Sequence, residues 1–561
     1  MAEKMTGGRF IAQTFKAYGL THVFFQDAIL RRALVEMEEL GIKRILGHSE
    51  AAAAYMADGY SRVSGGPAVC MAQSVGAANL AAALQDAYLG QSGVIAITGR
   101  QPPQLQYRNA YQELPHGPMY QSVTKFQAKI EIPEQLPRLL RQAFREATSG
   151  TPGPVHLDIA GLTGDVIAVA EHEWTVAVDE VHCKFPAFRP APDSESLKRA
   201  VAAIANAQRP AIVADRGAII SGAEAAIARL AARIEAPVVA TLDAKTVMRE
   251  HEPLNAGVVG TYARSCANHV VHEADLVIFV GSATSDQATV NWSVPRDGTQ
   301  IIQIDISPSE IGRNYSGVIG INADPRTAVD ALAAVCQSQV HTQWLARSQA
   351  LVAEWRQEAD RARASEQVPI RPERLCKELS EVLPSNAILV SDTGFSAQWT
   401  GTMAYLEHST QRYLRAAGSL GWSFPASLGA KCAAPDEPVV CFVGDGGFFY
   451  HLSELETARR WGLNTITIVN NNHCLSQGLQ NINVAYRNRD ETHKHDLFVF
   501  RETDFAKLAQ TFDCCGVTVE RPQDFPKAFA AAMASGLPAV IDVKTEFAAQ
   551  ASFPWIPKQQ Q

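Results

Sequence analysis

The stretch that most restricts this chain is Gly444-Asp445-Gly446, followed at a distance by Asn471-Asn472. Val439, Val440, Cys441, Phe442 and Val443 form an unbroken apolar run that reads as a buried parallel strand. Glycines at its end let backbone approach a ligand without a Cβ in the way. Ser453 to Trp461 reads as a helix with Leu452, Leu455 and Ala458 on one face, and a second apolar strand, Thr465 to Val469, delivers the asparagines. In a β–α–β unit both strand ends reach the same carboxyl edge of the sheet, where ligands sit in open α/β folds. Asp445 and Asn472 are therefore expected to meet at one point. A carboxylate, an amide oxygen and a backbone carbonyl are hard donors that suit Mg²⁺, whose remaining places go to water and phosphate oxygens. Gly-Asp-Gly alone is a common turn and Asn-Asn a common loop; the two together, each ending an apolar strand, point to a metal-and-diphosphate site.

Length and composition set the frame for that site. A chain of 561 residues has a soft expectation of about three to four domains. Hydrophobic residues at 47% and charged residues at 19% fit a large globular protein. A net charge of −8 without any basic run argues against nucleic acid or an anionic membrane as partner. The N-terminus lacks the apolar core of a signal peptide and no apolar run is long enough to span a bilayer, so a soluble cytoplasmic protein is expected. Ten scattered cysteines with no CxxC suggest neither disulfides nor a zinc site.

Along the chain, short apolar strands alternate with helical patterns in three blocks, which predicts an α/β protein of three doubly wound parallel-sheet domains. The expected divisions are 1–170, 190–340 and 368–550. The clearest strands are His22 to Phe25, Val69 to Ala72, Val94 to Thr98 and Val155 to Asp158 in the first block, and Pro210 to Ala214, Ala236 to Thr241, Asp275 to Gly281 and Gln300 to Asp305 in the second. Glu171 to Ser194, with Pro186, Pro190 and Pro192, reads as an irregular linker. Trp344 to Ala364 reads as a charged helix before the third block opens near Ala387.

Glu50 is the second informative residue. It opens an almost uncharged helix, Ala51 to Gly59. The bland account makes it a first-turn acid favoured by the helix dipole, with Ser49 as cap. The sharper account notes that an uncharged helix is a buried one, and that a buried carboxylate needs a partner.

Taken together, His48-Ser-Glu-Ala-Ala-Ala-Ala-Tyr-Met-Ala-Asp-Gly-Tyr-Ser-Arg62, Asn79-Leu80 through Asp86-Ala87, Thr98-Gly99, Tyr111-Gln112-Glu113-Leu114-Pro115, Gly418-Ser-Leu-Gly421 and the metal motif resemble the acetolactate synthase-like branch of the thiamine diphosphate enzymes. The resemblance covers nearly the whole chain. It implies an N-terminal pyrimidine-binding domain, a central domain and a C-terminal diphosphate-binding domain, with active sites between subunits, hence a homodimer at least and commonly a homotetramer. It implies thiamine diphosphate and Mg²⁺ as cofactors. Glu50 would hydrogen-bond N1′ of the aminopyrimidine; Leu420 would wedge beneath the bent cofactor, although it also reads as an ordinary core leucine; the backbone of Gly418 and Leu420 would meet the pyrimidine edge. Asp445, Asn472 and the carbonyl of Cys474 would hold the metal. Gly446, Gly447, Gly394 and Ser396 would face the diphosphate, and Gly76 belongs to the turn where relatives have Gly-Pro-Gly. Phe395-Ser396 stands where many relatives have Gln-His.

The substrate side departs further from the family. Phe25-Gln26-Asp27-Ala28 replaces a glycine-rich loop, so Gln26 and Asp27 either reach the substrate or are exposed turn residues. Tyr111 and Gln112 replace a Phe-Gln pair, with Gln112 a candidate to bind the substrate or assist proton transfer, and Asn481 aligns with a tryptophan that shapes acceptor choice and would instead hydrogen-bond a polar substrate. Of His48, His116 and His473, the last is the acid–base candidate because it adjoins the metal asparagine. In the central block Asp215-Arg216-Gly217 stands where FAD-carrying relatives often have Gly-Gly-Gly, so FAD stays open and is not predicted. The expected substrate is a small carbonyl compound. Decarboxylation of a 2-oxo acid, with or without carboligation, leads; cleavage of a 1,2-dicarbonyl, as by a cyclic diketone hydrolase, or of a 2-hydroxyacyl thioester is the alternative. A non-catalytic homologue is disfavoured by the presence of Glu50, Asp445 and Asn472 together, and a NAD-dependent enzyme by the lack of a GxGxxG after a strand.

Overall fold

The computed structural model describes residues 3–552 and 554–557. Three parallel six-stranded sheets follow one another along the chain, each flanked by helices, as the alternating pattern predicts. The first is ordered Lys43–Leu46, His22–Phe25, Ala68–Ala72, Val94–Arg100, Val155–Ala160 and Phe126–Ile130. The third is ordered Arg412–Arg415, Ile388–Ser391, Val439–Gly444, Ile466–Asn471, Ala539–Lys544 and Cys515–Val519. By order of appearance both run 2-1-3-4-6-5, so the outer domains share one topology, whereas the central sheet runs 3-2-1-4-5-6. In each, the strand order reverses beside the first strand, and the crevice opened there at the carboxyl edge is where such folds take ligands.

The strands sit where apolar runs place them because a parallel sheet covered on both faces needs continuous hydrophobic segments. Ile388–Ser391 and Ala539–Lys544 are buried almost throughout. One expectation fails. Glu171 to Ser194 opens on a strand, Glu171–Trp174, which pairs antiparallel with Glu3–Thr6. Its alternating exposure, with only Trp174 buried, belongs to a ribbon on the molecular surface, which a proline count does not reveal.

The first and third domains meet through two helices, Glu50–Ser64 and Ser423–Ala433. Their backbones come into contact at two glycines: a Cβ on Gly59 would land on the Ala426 carbonyl, and one on Gly429 on the Met56 carbonyl. A buried ion pair lies nearby. Arg62 binds Asp58 at 2.7 Å and donates to the Arg415 carbonyl, while Trp422 Nε1 donates to Asp58 at 2.8 Å.

Candidate active site

The crevice of the third sheet lies between Ile388–Ser391 and Val439–Gly444. The loops leaving those two strands, together with the one leaving Ile466–Asn471, enclose a cavity of about 370 Å³. Gly394, Ser396, Leu420, Asp445, Gly446, Gly447, Asn472 and Cys474 all line it. Residues far apart in sequence thus converge as the β–α–β argument requires.

Each takes its place for a local reason. Gly394 has φ +67°, a conformation that only glycine adopts freely. A Cβ on Gly446 would press on the side chains of Leu475 and Phe500, so the backbone there lies close to both. Asp392 is fully buried and ties two of the loops together: it accepts from the amides of Gly421 and Ser423 at 3.1 Å and from the Ser423 hydroxyl at 2.7 Å. Burial pushes its carboxyl up to about 6 against the pull of those hydrogen bonds.

The chemistry of the cavity follows from its unsatisfied atoms. Asp445 Oδ1 accepts from the Gly446 amide at 2.7 Å, but Oδ2 is buried without a partner. Burial pushes Asp445 up to about 7, with the amides of Gly446, His473 and Cys474 pulling the other way and Asp542 adding to the rise. Asn472 Oδ1 accepts from the Cys474 amide at 3.3 Å, and its Nδ2 is unpartnered. Asn470 Oδ1 and Trp399 Nε1 are also buried, unpartnered and on the cavity wall. Four such atoms around one space mark a polar ligand site, since buried polar groups are otherwise hydrogen-bonded. The donors nearest Asp445 are oxygens and amides, a set that fits Mg²⁺ and a diphosphate. Burial and the neighbouring Asp445 push the Cys474 thiol up to about 12, which keeps it protonated and leaves its carbonyl as the hard donor.

Asn470 and Trp399 were missed by sequence reasoning. Strand alternation explains the first: Asn470 and Asn472 share a face, while Asn471 points the other way and donates to Asp542 at 2.8 Å. Trp399 carried no signal beyond that of a core residue. A third omission is Asp86, which accepts from the amides of Ala417 and Ser419 at 2.6 and 2.8 Å and so holds the loop bearing Gly418 and Leu420. Gly418 itself is exposed, with open space where a Cβ would stand.

Other candidates lie elsewhere. His473 has φ +46° and turns its backbone amide toward Asp445; its ring stays off the cavity wall, its Nδ1 is buried and unpartnered, and Phe547 is its aromatic neighbour. Asn481 is exposed on the short helix Leu479–Ala485, and Ile482 rather than Asn481 lines the cavity.

Glu50 and Gly76 belong to the first sheet's crevice. The helix behind Glu50 is buried, as its composition implies, and Ser49 caps it through the Ala52 amide at 3.1 Å. Glu50 itself is only half-buried within one chain, because the first helical turn projects from the sheet edge, and it accepts from Asn79 at 3.1 Å. Gly76 leaves room for it: a Cβ there would lie 2.5 Å from Glu50 Oε1. Gln26 accepts from the Asp27 amide, and Asp27 is exposed and paired with Arg31 at 2.9 Å. Tyr111 is exposed, while Gln112, at φ +56°, lines a second cavity of about 800 Å³ with His116 and Arg100. Neither Glu50 nor Gln112 lines the Asp445 cavity of the same chain.

At the corresponding edge of the central sheet Asp215 is half-buried and accepts from Ser282 at 2.8 Å and from Thr241, and Gly217 is in backbone contact with Gly281. The hollows lined by Gly217, Gly281 and Asp305, and by Asp215 and Asp243, measure about 20 and 30 Å³.

Comparison with known proteins agrees with the geometry. Models of the thiamine pyrophosphate enzyme family match three segments: the N-terminal TPP binding domain at residues 5–119, the central domain at 197–332 and the C-terminal TPP binding domain at 392–543. The chain belongs to the thiamine pyrophosphate enzymes. It is 32% identical to a probable acetolactate synthase large subunit of Methanocaldococcus jannaschii, over 96% of this chain and 92% of the relative. It is 31% identical to the acetolactate synthase isozyme 1 large subunit of Escherichia coli, over 84% and 83%, and 30% identical to a probable 2-ketoarginine decarboxylase of Pseudomonas aeruginosa, over 93% and 90%. This is the acetolactate synthase-like branch, so the protein is a thiamine pyrophosphate-dependent enzyme that makes or breaks carbon–carbon bonds.

Proposed function

We propose that the protein decarboxylates a 2-oxo acid and replaces the lost carboxylate by a proton or by a bond to a second carbonyl carbon, the latter giving a 2-hydroxyketone or acetohydroxy acid. The observation that carries the site assignment is the set of four buried, unpartnered polar atoms around one glycine-lined cavity at the sheet's crevice. The relatives named as acetolactate synthases and as a decarboxylase support the reaction class.

Bound thiamine diphosphate supplies an electron sink that lets the bond between a carbonyl carbon and its neighbour break. The chain's residues do the rest. Asp445, Asn472 and the Cys474 carbonyl would hold Mg²⁺, and Gly394, Ser396, Gly446 and Gly447 would border the diphosphate. Leu420 and the Gly418 backbone would support the rest of the cofactor. Glu50, seated against Gly76, would hydrogen-bond N1′. Gln112 faces the substrate carbonyl from the first domain. Gln26, Asp27, Tyr111 and Asn481 stand further out on the substrate side, and His473 serves through its amide. Because Glu50 and Gln112 lie away from the Asp445 cavity of their own chain, the working unit is a homodimer at least, and a homotetramer fits the family. All ten cysteines are free, which suits the reducing cytoplasm.

The test is proton NMR of products after supplying thiamine diphosphate, Mg²⁺ and a panel of 2-oxo acids, 1,2-diketones and aldehydes, with Glu50→Gln alongside. Acetolactate or a mixed acyloin from a 2-oxo acid is the expected result, with turnover in Glu50→Gln lower by about 10²-fold or more. Silence with 2-oxo acids but cleavage of a diketone overturns the decarboxylase assignment, and near-normal turnover in Glu50→Gln removes the role given to that residue.

A further inference from the structure

The turn between the strand Ala68–Ala72 and the helix Gly76–Leu89 carries Ser74, which is 1% exposed. Its hydroxyl donates to the Gln112 carbonyl at 2.5 Å and lies 3.2 Å from His116 Nε2. On the other side of the ring, His116 Nδ1 lies 2.9 Å from Asp158 Oδ1. Asp158 also accepts from the Thr98 hydroxyl at 2.9 Å and faces Arg100 at 3.4 Å, which in turn binds Glu131. His156, from the same strand as Asp158, bonds Thr98 at 2.7 Å and stacks on Tyr120; burial holds it down to about 3, so it adds no charge. His116 and Asp158 are 1% and 3% exposed.

Hydrogen-bond accounting fixes what the His116 ring does. Ser74 has one proton, and the Gln112 carbonyl takes it; an ionised carboxylate only accepts. Burial pushes Asp158 up, but its hydrogen bonds to His116 and Thr98, with the histidines around it, outweigh that and hold the carboxyl below its usual range. The ring therefore bridges Ser74 and Asp158, one nitrogen to each. The ligand-type atoms of His116, His156 and Asp158 lie within 4.8 Å of one another, yet each is already engaged by a hydrogen bond.

The chain of bonds ends on a strained loop. Gln112 has φ +56°, and Tyr107 and Asn109 have φ +60° and +53°. Such backbone persists in non-glycine residues only where the surroundings over-determine it. The turn that Ser74 opens ends at Gly76, against the Glu50 carboxyl.

We propose that His116 and Asp158 are positioning residues: acting through Ser74, they set the Gln112 loop and align it with the turn that seats Glu50, given the roles proposed above for those two residues. The experiment uses the holoenzyme with thiamine diphosphate and Mg²⁺, following amide hydrogen exchange in residues 106–115 together with steady-state kinetics. His116→Gln and Ser74→Ala should each speed exchange in that loop and lower kcat/KM on the order of 10- to 100-fold, chiefly through kcat. Ser74→Thr, which keeps the hydroxyl, should restore both, and the double variant His116→Gln/Ser74→Ala should be little worse than either single one. Unchanged exchange in 106–115 in either folded variant overturns the proposal whatever the activity. Faster exchange with no product from any 2-oxo acid leaves the positioning device standing and overturns the reaction assignment instead. Should His116→Gln not fold, Ser74→Ala decides.

Discussion

At the scale of single residues, Asp445 joins the physics of burial to that of cofactor loading. Its folded carboxyl keeps a proton up to about pH 7, whereas an aspartate in an unfolded chain loses it near 3.9. Between those values the folded state binds more protons, so this group's contribution to stability is full below about pH 4 and falls as pH rises towards 7. A cation on Asp445 must displace the same proton. Mg²⁺ affinity, measured by titration calorimetry with the protein saturated in thiamine diphosphate, should therefore rise about tenfold per pH unit up to about pH 7 and level off above it. Asp445→Asn should lose most of the affinity and the slope that the aspartate adds. A wild-type slope matching that of Asp445→Asn would mean that proton and metal do not compete at this carboxylate.

Among the elements, the pair of helices Glu50–Ser64 and Ser423–Ala433 holds the first and third domains together, and its glycines set the spacing. The atom that a Cβ on Gly429 would strike is a backbone carbonyl, which cannot swing away. Gly429→Ala should thus destabilise by about 3 kcal/mol, read as a drop in urea midpoint, by forcing the helices apart. Gly65, which ends the first of these helices at φ +67° in open space, isolates the backbone cost; Gly65→Ala should lose only about 1 kcal/mol. How much was legible beforehand follows the same division between local and distant. The inner strands of the sheets showed in the sequence because burial on both faces writes a continuous apolar run, whereas partly exposed edge strands such as Phe126–Ile130 and Cys515–Val519 did not; Asp445 with Asn472 showed because both end such runs. Glu171–Trp174 did not show, since a polar strand formed by pairing with residues some 170 positions earlier leaves no local pattern. Asp86 and Ser74 were invisible as devices for the same reason: their partners, Ala417 and Gln112, are chosen by the fold. Asn470 was overlooked where alternation along the strand, followed one residue further, would have found it.

For the whole molecule, the two parts of the proposed site are each well built and face different spaces. The Asp445 cavity is lined by residues of the third domain alone, between 393 and 498, while Gln112 opens onto a cavity of the first. A closed two-fold assembly brings the same pair of surfaces together twice, so in the proposed homodimer each copy would lend its first domain to the other's third. Two inactive variants then become complementary. Glu50→Gln spoils the first-domain half of a site and Asp445→Asn the third-domain half; in a mixed dimer one site collects both defects and the other collects neither. Unfolding and refolding an equal mixture of the two variants should recover about a quarter of wild-type activity, since half the dimers are mixed and each carries one intact site. Size-exclusion chromatography must show the same assembly for the mixture and for each variant alone. No recovery in properly assembled mixed dimers would place Glu50 and Asp445 in the site of one chain, and the subunit-sharing arrangement would fall.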